Sequence, residues 1–112
     1  MPPRSWRIRV DDIIAAIDAI LEYTAGMDGA GFAADRRTVD AVVRNLIIIG
    51  EAAGHVPDEV ATANPQIPWA RMRGMRDLAV HEYFGVDADV LWNTVTGNLP
   101  EVLPELRRLL EA

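Results

Sequence analysis

Apolar residues recur along this chain with the period of a helix almost throughout. Trp6, Val10, Ile13, Ile14, Ile17, Leu21 and Thr24 are spaced three or four apart, with Asp11, Asp12, Asp18 and Glu22 between them. That spacing predicts an amphipathic helix, with Ser5 as its N-cap and Gly26 at its end. The stretch GMDGAG at 26–31 predicts a loop. A second helix begins by Thr38, or earlier through FAADRR at 32–37. It carries Val39, Val42, Val43, Leu46, Ile47, Ile48, Ile49, Ala52 and Ala53. Such a surface is apolar nearly all round and should be buried on most sides. A chain of about four helices covers it poorly, so a second subunit is the expected cover. Gly54 and Pro57 stop it.

The segment 57–69, PDEVATANPQIPW, predicts a short helical turn and a Pro-punctuated loop. A third helix runs from Trp69 to about Tyr83. A fourth starts at Asp87, a good N-cap, and is expected to break at Gly97, Asn98 and Pro100. The last, within 100–112, puts Leu103, Leu106 and Leu110 on one face, and Pro104 should bend its first turns. No sustained period-two alternation predicts a strand. The expected fold is all-α: one domain, residues 1–112, an antiparallel bundle of four to five helices, homodimeric.

Composition narrows the function. Without cysteine, disulfides and thiolate metal sites are excluded, and two histidines argue against a His-rich metal site. A net charge of -6 argues against a general nucleic-acid coat. No signal-peptide pattern opens the chain. The longest apolar run, LIIIG, is far short of the ~20 residues of a membrane span. A soluble, cytoplasmic protein is expected. All eleven cations are Arg, so Arg frequency says nothing about phosphate; its placement does.

That placement centres on GMRDLAVHEYFGVD, residues 74–87. Arg71, Arg73 and Arg76 put three positive charges in six residues, with Asp77 directly after. The Arg fork suits phosphate because it donates in two directions and stays charged. At ~100° per residue, Arg76 and Tyr83 are nearly eclipsed, whereas Arg76 and His81 stand about 140° apart. One helix cannot aim both at one small target; a symmetry mate can complete the set. The chemistry this suits is RNA cleavage by the ribose 2′-hydroxyl, which needs a base, an acid and a cation on the phosphorane. A two-fold dimer supplies two His and two Arg around one groove. The competing readings are ordinary ones. His81 could cap carbonyls at a helix end, and Tyr83 could be a half-buried aromatic beside Phe84. Glu51, a carboxylate in the most apolar helix, needs a partner, and Arg76 is the candidate. His55 reads as a helix-end residue with no catalytic part.

The ordered set Arg76-x4-His81-x-Tyr83 comes with flanks: IPW at 67–69, GMRD at 74–77, HEYFGVD at 81–87, VLW at 90–92 and NLP at 98–100. With RRTVDAVVRNLIIIGEAAGHVP at 36–57, it resembles the HepT-like ribonuclease toxins of the HEPN superfamily over nearly the whole chain. The resemblance implies an all-α homodimer whose Arg and His motifs face each other across the interface. It implies that Arg76 and His81 are the catalytic pair of a metal-independent endoribonuclease that uses no cofactor. It further implies a type VII toxin–antitoxin pair, in which a minimal nucleotidyltransferase antitoxin silences the toxin by modifying Tyr83 with AMP. Asp77, Glu51 and Arg73 are then candidates for supporting the pair or touching RNA. The alternative is a non-catalytic dimeric module that binds the nucleotidyltransferase or a nucleotide.

Overall fold

The computed structural model describes residues 5–85 and 87–111, and the side chains of these except at 82–85. Its long helices are α1 (Trp6–Thr24), α3 (Arg36–Gly54), α5 (Trp69–Gly85) and α7 (Leu99–Glu111). Between them lie the short α2 (Gly29–Ala34), α4 (Asp58–Ala63) and α6 (Ala88–Asn93), and a π-helical turn, Thr94–Asn98. No strand occurs among the described residues. No helix among them is long and apolar enough to cross a membrane.

Ser5 caps α1 as its spacing predicts, its hydroxyl oxygen accepting from the Arg7 N–H at 3.2 Å. Val10, Ile13, Ala16, Ile17, Ile20 and Thr24 are the buried face. The Thr24 hydroxyl donates to the Ile20 carbonyl at 2.8 Å, so burying it leaves no polar group unpaired. Just past the helix, Gly26 takes φ 78°, a left-handed conformation costly to a residue with a Cβ. The expected loop at 26–31 is only partly one. Asp28 accepts the Gly31 N–H at 2.7 Å and starts α2, which delivers Phe32 fully into the core against Trp92, ring centroids 5.1 Å apart. Asp35 then caps α3, accepting the Thr38 N–H at 3.1 Å. The Thr38 backbone and hydroxyl hydrogen bonds hold its carboxyl below the ordinary value of 3.8.

α3 is the central helix, packed between α1 and α5. Val39, Val42, Val43, Leu46, Ile49, Ala52 and Ala53 are buried within one chain, and Ile47 and Ile48 are partly buried. Its own neighbours therefore cover most of the surface for which a second subunit was expected. Flanking helices on two sides, with α2 across its start, shield more of the circumference than a four-helix count suggests.

The expected break at Gly97, Asn98 and Pro100 is also absent. α6, the π turn and α7 follow one another without a loop. Leu91, Val95 and Leu99 recur every four residues and are all buried. On a regular α-helix that spacing drifts ~40° per step; the wider turn takes up part of the drift. α7 lies on α1 through buried Leu103, Leu106 and Leu109. Arg107 pairs with Asp18 at 2.9 Å, and Arg7 donates to the Leu110 carbonyl at 3.1 Å. That order is the one of helices running in opposite directions.

Candidate functional site

α5 carries the motif, and its core side explains how it is held. Met72, Met75 and Ala79 are buried, while Arg71, Arg73, Arg76, Asp77, Val80 and His81 are exposed. α3 and α5 meet at Gly50. A Cβ built there would lie 2.7 Å from both the Cβ and the backbone N of Arg76, and 3.1 Å from the Arg73 carbonyl. Only a residue without a side chain allows that approach. The contact sets the height of Arg76 over α3.

One residue further on, Glu51 forms an ion pair with Arg76. The expected partnership is present, but the expected burial is not. The two side chains keep 46% and 58% of their exposure. Relative to buried Leu46, Glu51 stands about 140° round α3, outside the arc that faces the core. A pair this open contributes at most ~1 kcal/mol to stability. Its effect is on direction: it fixes where the Arg76 fork points while leaving it within reach of a ligand. Asp77, adjacent in sequence to Arg76, forms no ion pair with it.

Gly50, Glu51 and Gly54 from α3, His55 at its C-cap, and Arg73, Arg76 and Asp77 from α5 line one groove of about 310 Å³. Four of the expected site residues (Glu51, Arg73, Arg76 and Asp77) are thus together. His81 is not among the lining residues; it is exposed one turn and more further along α5. The angular divergence from Arg76 read from the sequence persists in the fold. Tyr83 falls in the last turns of α5, and its side chain lies outside the described residues. His55 is the residue that the sequence reading set aside. It caps α3 through its backbone N–H, which donates to the Ala52 and Ala53 carbonyls, yet its side chain is exposed to the groove. The signal was available: Glu51 and His55 are i and i+4, neighbours on one helix face. Pairing Glu51 with Arg76 brings His55 to the same groove.

Two arginines and two carboxylates nearly balance the charge of this groove. Among the described residues no group of three or more His, Cys, Asp or Glu is placed to hold a metal ion. The arrangement can bind a phosphate with an aimed Arg fork, and it offers one imidazole in the groove, His55 at the end of α3, and another, His81, further along α5.

The family model described as ribonuclease HepT-like matches residues 13–109. The chain is 41% identical over 106 residues to "Probable ribonuclease HepT" of Thermococcus cleftensis, covering 95% of this chain and 96% of that one. It is 34% identical over 111 residues to "Putative RNase MJ0125" of Methanocaldococcus jannaschii, covering 99% and 96%. It is also 33% identical over 105 residues to "Gamma-glutamylcyclotransferase and putative RNase MJ0434" of the same organism, covering 94% of this chain and 47% of that one. No solved structure matches the chain significantly.

Proposed function

We propose that this chain, which belongs to the ribonuclease HepT-like family, is a metal-independent endoribonuclease and the toxin of a cytoplasmic toxin–antitoxin pair. The observation that carries the reading is the aimed Arg76: seated on Gly50, directed by Glu51 and half exposed at the rim of a groove.

In this reading a ribose 2′-oxygen attacks the adjacent phosphorus. The new P–O2′ bond forms as the P–O5′ bond breaks, leaving a 2′,3′-cyclic phosphate and a free 5′-hydroxyl. A histidine accepts the 2′-hydroxyl proton, and a histidinium protonates the departing O5′. Arg76 meets the charge that grows on the phosphorane oxygens, where fixed donors act most strongly. His81 of one protomer does not reach its own Arg76 groove, so two protomers together complete the set. The dimer follows from this divergence rather than from α3, which its own chain largely covers. Tyr83, seven residues after Arg76 and nearly eclipsed with it, is the handle for silencing by AMP transfer from a nucleotidyltransferase partner.

The test is cleavage of defined RNAs in chelator by the purified protein, Arg76→Ala and His81→Ala. Wild type should leave 2′,3′-cyclic phosphate ends, and either variant should lose activity. Equal activity in all three, or other product ends, refutes the assignment. Co-expression with a cognate nucleotidyltransferase should add one AMP to the intact mass, lost in Tyr83→Phe. A second reading is a dimeric binding module without chemistry. It is favoured by Glu51 and Asp77, which offset the groove's arginines in a chain of net charge -6. Growth arrest on expression of the chain alone, abolished by Arg76→Ala, separates the enzyme from that module.

A further inference from the structure

The groove holds more than Arg76 requires. Its ~310 Å³ exceeds what one phosphate fills, and its two ends differ. At the Gly50 end, Arg76 is engaged by Glu51. At the other end, Gly54 leaves open space, with nothing within 4 Å of a Cβ built on it. His55 and Arg73 both line the groove as well. Their side chains have no ion-pair or hydrogen-bond partner among the described residues, and both residues are exposed. Arg73 precedes Arg76 by three and His55 follows Glu51 by four, so each lies about one turn along its helix from the Arg76–Glu51 pair. All four residues line the same groove, which therefore carries a second pair of polar residues beside the Arg76–Glu51 pair.

The geometry points to His55 and Arg73 as a binding subsite for a second RNA phosphate, one nucleotide away from the phosphate that Arg76 addresses. It rests on the ribonuclease reading for the identity of that neighbouring phosphate. The chemistry selects a single strand. An Arg fork and an imidazole N–H donate to phosphate oxygens. Gly54, with nothing within 4 Å of a Cβ built on it, lets a backbone approach closely. Glu51 and Asp77 accept from the exocyclic amines of unpaired bases, which a bare polyanion does not offer. His55 and Arg73 are binding residues in this scheme, not acids or bases. They hold the chain so that the reacting phosphate sits at Arg76.

The experiment measures binding and turnover separately. Binding uses a fluorescent, fully 2′-O-methylated RNA oligonucleotide, which has no nucleophile and cannot be cleaved; turnover uses the unmodified RNA. Arg73→Ala and His55→Ala should each weaken binding about tenfold, the loss expected for one charge-assisted hydrogen bond. Arg73→Ala should also flatten the dependence of log K on log salt by ~0.7, one single-strand phosphate contact. In turnover the loss should fall on KM, with kcat held, and His55→Arg should restore affinity where His55→Ala does not. Both side chains are exposed, so all variants should fold, checked by circular dichroism.

Unchanged affinity and salt slope in both alanine variants overturns the subsite. So does a fall in kcat at saturating RNA with KM unchanged, which would make either residue part of the chemistry. Wild type that binds the methylated RNA through these residues but cleaves nothing overturns the ribonuclease reading and leaves the subsite standing. Wild type that binds no RNA overturns both.

Discussion

Replacing Gly50 with alanine isolates the contact on which the site is built. The added methyl would lie 2.7 Å from two Arg76 atoms, against an ordinary contact of 3.4–4 Å. Relief needs α5 to retreat at Arg76 by roughly 0.7–1.3 Å, since backbone on both sides leaves no flexible side chain to give way. Overpacking of this kind costs ~1–3 kcal/mol. Alanine favours a helix interior over glycine by ~1 kcal/mol. The net loss of stability should therefore be only ~0–2 kcal/mol, and the variant should fold. Function should suffer more than stability, because a displacement near 1 Å at a catalytic group can cost ~100-fold in rate. The measurement is a paired one: urea denaturation followed by circular dichroism, and cleavage of a fluorescent RNA. Gly74→Ala is the stability control, because nothing lies within 4 Å of its Cβ; it should gain up to ~1 kcal/mol. If Gly50→Ala cleaves within about twofold of wild type, the α3–α5 approach does not position Arg76 and the reasoning is wrong.

Glu51→Gln should change stability by no more than ~1 kcal/mol, as expected of a half-exposed pair, while cleavage falls as Arg76 loses its direction; an unchanged kcat would show that the pair directs nothing. Phe32→Ala should cost ~3–5 kcal/mol, because a fully buried ring stacked near Trp92 is lost; a denaturation midpoint near wild type would mean that α2 is not docked in solution. Asp35 has a folded-state pKa depressed below 3.8 by the hydrogen bonds from Thr38. Its stabilising contribution is complete above 3.8 and is lost as pH falls through the folded value. Asp35→Asn keeps an α3 cap without that titration, so its thermal midpoint should fall less steeply than wild type in acid; parallel acid profiles would rule out the linkage.

Much of the fold was legible because local rules act within a few residues. Ser5 and Asp87 cap where their side chains can reach the next backbone N–H groups. α5 begins at Trp69, where the motif's helix was expected. The misreadings share one cause. Whether Gly97 and Asn98 break a helix, or join a π turn, depends on the core that Leu91, Val95 and Leu99 must fill. Whether α3 needs a partner subunit depends on what its own chain lays beside it. α2 went unseen because its six residues matter through Phe32 and Trp92, sixty positions apart in the sequence.

The sequence by itself determined the helical class, the order of the long helices and the spacing of Arg76, His81 and Tyr83, since each follows from a period of 3.6 residues. It also determined that Arg76 and His81 diverge, because that angle belongs to one helix. Only the tertiary structure decided which residues of α3 meet that helix. Gly50 permits the approach, Glu51 pairs with Arg76, and His55 shares one groove with Arg73. Those relations join residues about twenty positions apart on separate helices. They are set by how two helices pack side by side, which no periodicity within either one contains.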